Sequence, residues 1–182
     1  MSKISFIGLG KMGRPMALNL IKNNYTLNVY DTNKNAYRSF AKKNILKSNY
    51  LENLVDDCKV FITMLPDSKA LSEVFFSNIG LINKIKKNSI FIDCSSVDYD
   101  ITIKISKLLN KRGVHFLDAP VSGGVSGAEN SNLTIMVGGN ERAFKKVKKL
   151  LSCLGKNIIY VGKSGSGQIV KSCNNMMLAF IL

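Results

Sequence analysis

Short apolar runs in this chain alternate with stretches in which apolar residues recur every three or four positions. That is the pattern of strands, each followed by an amphipathic helix. Residues 3–7 form the first apolar run, and 15–23 place Met16, Leu20 and Ile21 on one helical face. A second strand is expected over 27–30 and a polar helix over 34–42. The run 60–65 predicts a buried strand, followed by a helix through Leu71 and residues 74–76. Further strands are expected over 89–94, 114–118, 133–137 and 158–161, and helices over 101–111, 141–154 and from 167 onward. Alternation of this kind predicts an α/β fold with a doubly wound, mostly parallel sheet. No internal repeat or low-complexity linker interrupts it.

The last helix carries no stop signal. Residues 176–182 are all apolar, with no glycine, proline or final polar turn. So much apolar surface at a free terminus is unusual. The expectation is a chain cut short, or a helix covered by a partner.

Composition narrows the class. A chain of 182 residues fills one α/β domain but is short for two. With 46% hydrophobic and 21% charged residues it has the makeup of a globular protein, not of a disordered tail. Its apolar runs are far too short to span a bilayer, so no membrane association is expected. The N-terminus enters a strand directly with no basic-then-apolar leader, which predicts a cytoplasmic protein. Cys58, Cys94, Cys153 and Cys173 are widely separated, and His115 is the lone histidine, in an expected strand. Reduced, mostly buried thiols and no metal site are the expectation. The net charge of +14 comes from lysines near 42–43, 84–87, 104–111 and 145–149, where helices face water. Charge so dispersed predicts a solvated basic surface and argues against a nucleic-acid groove.

The segment Gly8-Leu9-Gly10-Lys11-Met12-Gly13 follows the first strand and opens the first helix. In that context the three glycines have separate roles. Gly8 allows the tight turn, Gly10 lets a pyrophosphate approach the backbone, and Gly13 lets helix pack on strand. Free N–H groups at the helix start favour phosphate, and Pro15 fits the first helical turn. Asp31 ends the second strand, where an acid can bind ribose hydroxyls and repel a 2′-phosphate. The fold is therefore expected to be Rossmann-type, with NAD favoured over NADP.

Two later segments carry candidate chemistry. Ser122-Gly123-Gly124 follows a strand, and its glycines can expose N–H groups beside a hydroxyl, a cradle for a carboxylate. Taken alone, the same residues read as a flexible loop. Lys171 and Asn175 lie four apart on the last helix and share a face. Oxidising an alcohol by hydride transfer needs a base for the hydroxyl proton, and a lysine with a lowered pKa can serve. A lone lysine is ordinarily a solvated surface charge.

Together these segments resemble the β-hydroxyacid dehydrogenase family. The residues that carry the resemblance are Gly8-x-Gly10-x-Met12-Gly13-x-x-Met16-Ala17-x-Asn19-Leu20, Asp118-Ala119-Pro120-Val121-Ser122-Gly123-Gly124, Gly127-Ala128 and Gly165-x-Gly167-x-x-x-Lys171-x-x-Asn174-Asn175. They are most similar to the 3-hydroxyisobutyrate dehydrogenase branch, with a 6-phosphogluconate dehydrogenase-like NAD-binding domain. The resemblance implies Lys171 as the catalytic proton-transfer residue, and Ser122, Gly123, Gly124 and Asn175 as substrate-binding residues. It implies cofactor contacts from Gly8, Leu9, Gly10, Lys11, Met12, Gly13 and Asp31, from the Leu65-Pro66 turn and from Ser96. Ser96 stands where the family usually has threonine, and Ala70 where it usually has asparagine. The implied division is an NAD-binding domain over 1–163 and, over 164–182, the start of a helix leading to an all-helical domain that this sequence lacks. That domain would build a homo-oligomer. The implied reaction takes a small β-hydroxyacid to its semialdehyde with NAD. The alternatives are an NADPH-dependent reductase of glyoxylate, tartronate semialdehyde or succinic semialdehyde, and a truncated, non-catalytic dinucleotide- or partner-binding module.

Overall fold

The computed structural model describes residues 3–40 and 45–181. Among these, nine strands form one sheet: β1 (Lys3–Ile7), β2 (Leu27–Tyr30), β3 (Ile45–Lys47), β4 (Cys58–Thr63), β5 (Ile90–Asp93), β6 (His115–Asp118), β7 (Val121–Ser122), β8 (Leu133–Gly139) and β9 (Gly155–Gly162). The helices are α1 (Gly13–Lys22), α2 (Ser68–Phe76), α3 (Tyr99–Lys111), α4 (Gly124–Glu129), α5 (Glu141–Leu151) and α6 (Ser166–Ile181). The order across the sheet is β3-β2-β1-β4-β5-β6-β8-β7, with β9 beside β8. The first six of these strands are parallel, in the doubly wound order of dinucleotide-binding folds. β8 runs antiparallel to both β6 and β7, which makes the sheet mixed at that end.

Both faces of the sheet are covered, so its central strands read as unbroken apolar runs. One face packs Ile4, Phe6, Ile62, Ile92 and Leu117 against Met16 and Leu20 of α1. On the other, Phe61, Phe91 and Phe116 form a cross-strand stack with ring centroids 5.9 Å apart. Phe75 of α2 tilts onto Phe91 at 4.6 Å. Stacked and tilted rings of this kind contribute about 0.5–1.5 kcal/mol per pair beyond their buried area.

The structure departs from the sequence reading in several places. The expected polar helix over 34–42 is a short 3-10 helix, Lys34–Ser39, and residues 41–42 lie outside the described residues. Asn33 caps it by accepting the Asn35 N–H at 3.0 Å, and with no apolar stripe to bury it does not continue as an α-helix. The strand β3 and the 3-10 turns Leu51–Val55 and Leu81–Asn83 are additions, each too short to show periodicity. Of the four free thiols Cys58 and Cys94 are buried, Cys153 is intermediate and Cys173 is exposed.

The carboxyl ends of β4, β5 and β6 place Thr63, Asp93 and Asp118 in one row, in register across the sheet. Asp93 is fully buried. Its Oδ1 accepts the Thr63 hydroxyl at 2.8 Å and the Ser95 hydroxyl at 2.6 Å, while Oδ2 has no hydrogen-bond partner. Burial raises the Asp93 carboxyl from its ordinary 3.8 to about 6, against the opposing pull of those hydrogen bonds, and nearby Asp118 pushes it the same way as burial.

A folded-state pKa above the unfolded one favours the protonated native state. The stability this gives is fully present below about 3.8 and is lost as pH rises through about 6. At about 1.4 kcal/mol per pH unit, the loss is on the order of 3 kcal/mol. Urea unfolding between pH 4 and pH 7 should therefore show the wild type losing about that much more stability than Asp93→Asn, which cannot ionise. Equal pH slopes in the two proteins would show that Asp93 does not titrate in this window.

Candidate active site

The order of strands reverses between β1 and β4, and a cleft of about 850 Å³ opens above their carboxyl ends. Open α/β sheets bind ligands at such a switch point. One wall is the turn from β1 to α1, with Gly8, Gly10, Lys11, Met12 and Gly13; the facing wall is Met64, Leu65 and Pro66 after β4.

The three glycines differ in what surrounds them. Gly8 has φ +92°, and a side chain there would strike the Met64 carbonyl. A side chain on Gly13 would strike the Gly8 carbonyl, so this glycine lets α1 start against β1. A Cβ on Gly10 would meet nothing within 4 Å. The space in front of Gly10 is open to a pyrophosphate, so the backbone fits the group its motif implies.

Asp31 lines the same cleft and also holds it together. Its Oδ2 accepts the Leu9 N–H at 2.6 Å, tying the glycine turn to the end of β2. Its Oδ1 accepts the Asn33 N–H at 2.7 Å. Each oxygen keeps lone-pair capacity for a ribose hydroxyl. The Asp31 N–H in turn donates to the Tyr37 hydroxyl at 2.8 Å. Leu9 itself is buried in the core, so it contributes its N–H and not its side chain.

A second cleft, of about 430 Å³, adjoins the first at Pro66. Lys171 and Asn175 line it from α6, and Ser96, Val97 and Asp98 from the loop after β5. Lys171 is half-buried, and that burial lowers its pKa from the ordinary lysine value. The ion pairs found among the described residues, Lys84–Glu52 and Lys145–Glu141, do not involve it.

The start of α6 is fixed by a buried carboxylate. Asp118 accepts the Gly165 N–H on Oδ1 at 2.8 Å and the Gln168 N–H on Oδ2 at 3.2 Å. These are N–H groups that a helix start leaves without internal partners, and an anion there also meets the positive end of the helix dipole. Burial raises the Asp118 pKa, and the hydrogen bonds from Gly165, Gln168 and Gly167 oppose the rise. A Cβ on Gly167 would press on the Met136 carbonyl at 2.5 Å and the Asp118 carbonyl at 2.6 Å, so glycine is what allows α6 this close to the sheet.

Ser122, Gly123 and Gly124 are not among the residues that line either cleft, but Ser122 meets α6 next to Asn175 of the second. Ser122 ends the short strand β7, Gly123 has φ +128°, and Gly124 opens α4 with φ +63°. Ser122 reaches α6 through its hydroxyl, which accepts from the Asn174 side chain at 3.3 Å. The shared face expected for Lys171 and Asn175 puts both in the second cleft, and the neighbouring Asn174 makes the bond to Ser122. Gln168, Asp118 and Ser95 were missed as site residues. An amide in the first turn of the helix, three residues before Lys171, was the available signal for Gln168.

Among the described residues no group of three or more His, Cys, Asp and Glu side chains could hold a metal ion, and no helix is long and apolar enough to cross a membrane.

Comparison with known proteins agrees with this geometry. Residues 3–162 match the family model for the NAD-binding domain of 6-phosphogluconate dehydrogenase. The chain is 43% identical to the mitochondrial 3-hydroxyisobutyrate dehydrogenase of Rattus norvegicus over 176 residues, covering 97% of this chain and 52% of that protein. It is 38% identical to the NAD-dependent L-serine dehydrogenase of Pseudomonas aeruginosa over 182 residues, all of this chain and 61% of that one. The solved structure of Mycobacterium tuberculosis 3-hydroxyisobutyrate dehydrogenase with L-serine superimposes with a TM-score of 0.92 at 33% identity, over 98% of this chain and 60% of that one. The chain thus spans between about half and three-fifths of these relatives' own length. Through its 6-phosphogluconate dehydrogenase-type NAD-binding domain, it belongs to the β-hydroxyacid dehydrogenase family.

Proposed function

We propose that this chain provides the cofactor-binding and proton-transfer half of an NAD-dependent dehydrogenase, one that oxidises a short β-hydroxyacid to its semialdehyde. The observation that carries the reading is the junction of the two clefts at Pro66, with the glycine turn and Asp31 in one and Lys171 and Asn175 in the other. The named relatives favour a substrate with a hydroxymethyl group beside the carbon that bears its carboxylate, a feature shared by 3-hydroxyisobutyrate and L-serine. When bound, the nicotinamide would supply the hydride acceptor.

The protein's own residues would do the rest. Lys171, held partly out of water, accepts the hydroxyl proton in oxidation and returns it in reduction. Asn175, one turn further along the same helix, donates a hydrogen bond that orients the substrate. Ser122 and the N–H groups of Gly123 and Gly124 receive the carboxylate. Ser96 offers its hydroxyl to the nicotinamide ribose, and the Leu65-Pro66 turn passes over the dinucleotide. Gly10 admits the pyrophosphate, and Asp31 accepts from the adenosine ribose while repelling a 2′-phosphate.

Titration of both cofactors into this chain should give an affinity for NAD about tenfold or more above that for NADP, the factor that about 1.4 kcal/mol supplies. Asp31→Ala should shrink that preference, and equal wild-type affinities would remove Asp31 from the discriminating role. In the full-length protein, Lys171→Ala should slow NADH formation from short β-hydroxyacids by about a hundred- to ten-thousand-fold with little change in NAD affinity. Lys171→Arg should fail nearly as badly, because a guanidinium does not give up its proton near neutral pH. Near-normal turnover by Lys171→Arg would mean that position 171 supplies only charge.

A further inference from the structure

Gln168 is buried, at 3% exposure, and uses both ends of its side-chain amide. Its Nε2 donates to the Ser95 carbonyl at 2.9 Å, and its Oε1 accepts the Val97 N–H at 3.2 Å. An amide that meets one carbonyl and one N–H two residues apart pairs with the loop much as a neighbouring strand would. Between those two residues stands Ser96, and three residues beyond Gln168 on α6 stands Lys171. Spacing of three puts Gln168 and Lys171 on the same side of the helix, and both line the second cleft.

The contact reaches further than the loop. The Ser95 hydroxyl donates to Asp93 and accepts the Leu65 N–H at 2.9 Å, at the turn between the two clefts. Gln168 therefore binds the α6 side of the second cleft to a segment that is itself tied to the first. Asp118 holds the beginning of α6 to the sheet, but neither of its oxygens bonds to the loop of residues 95–97.

We propose that Gln168 is a positioning residue, whose side-chain amide fixes the Ser95–Val97 loop against α6 and so sets the separation and the shielding of the Lys171 amine. Asp118 fixes the helix to the sheet; Gln168 fixes the loop to the helix. The proposal rests on reading Lys171 as the proton-transferring amine, but its test does not depend on turnover. The charged groups around the cleft are Asp67, Lys69 and Asp98 at its rim, with Asp118 and Asp93 behind the helix start and the loop. None of them is altered in the comparison below.

The experiment is an NMR titration of this chain with lysines labelled at Cε, the Lys171 resonance being identified by its loss in Lys171→Arg. In the wild type, Lys171 should titrate below the ordinary lysine range, and a Gln168 side-chain amide proton should exchange slowly with solvent. Gln168→Met keeps the length and bulk but neither polar end, and Gln168→Asn keeps the amide but is one methylene too short to bridge. In both, the Lys171 titration should move up to the ordinary lysine range while the amide spectrum of the sheet stays unchanged. A Lys171 titration still depressed in Gln168→Met would overturn the proposal, because apolar packing alone would then do the shielding. Freely exchanging Gln168 amide protons in the wild type would overturn it without any variant, so the test survives a substitution that fails to fold. Turnover by Lys171→Ala addresses the catalytic reading separately: an active enzyme would dismiss the lysine as the proton carrier while leaving the measured clamp intact.

Discussion

The Asp118 carboxylate is the contact on which the second cleft depends. It ends a central strand with no exposure to water and accepts N–H groups at the start of α6. A buried carboxylate is costly unless it is hydrogen-bonded, and unpaired N–H groups at a buried helix start are costly as well. Each satisfies the other. The geometry that results is narrow, because α6 can come this close only over glycine: a side chain on Gly138 would meet the Asp118 carboxylate and the Gly167 N–H within 3 Å. Lys171, one turn inside the helix, inherits its place from this arrangement.

The dinucleotide side was legible in the sequence because its determinants are close together along the chain. Gly8, Gly10 and Gly13 lie in one turn: Gly8 needs its positive φ, a side chain on Gly13 would strike the Gly8 carbonyl, and Gly10 faces open space. The strands were legible for a related reason. They are buried on both faces, so their apolar runs need no partner to be recognised. What the sequence did not show was either too short for a period, such as β3 and β7, or made by distant partners. The bond from Asn174 to Ser122 joins residues 52 positions apart, and that from Gln168 to Ser95 joins residues 73 apart. No spacing rule reaches that far. The Lys171-to-Asn175 interval put both residues in one cleft, whereas the Ser122-Gly123-Gly124 turn lies outside the lining of both.

The exposed end of α6 has a different physical meaning from its buried start. Met176, Met177, Leu178 and Phe180 are 61, 64, 46 and 87% exposed, a contiguous apolar patch on one helix. The same helix thus carries an internally satisfied N-terminal turn and, some ten residues on, a surface whose apolar groups find no cover among the described residues.

This contrast bears on how precisely each cleft can be set. The glycine turn, Asp31 and the Met64–Pro66 turn of the first cleft lie on the rim of the parallel sheet, whose strands are locked by ladders on both sides, while α2 lines the cleft beside them. The second cleft is lined by the start of α2, the loop after β5 and α6, the last joined to the sheet at Asp118 and to the loop at Gln168. Packed parallel strands have few alternative arrangements, whereas α6 is placed by individual side-chain bonds at Asp118, Gln168 and Asn174. The shape of the glycine turn in this fold is therefore a property of rigid backbone. The position of the Lys171 amine is a property of a few side-chain hydrogen bonds, and small polar substitutions around α6 can move it while leaving the sheet intact.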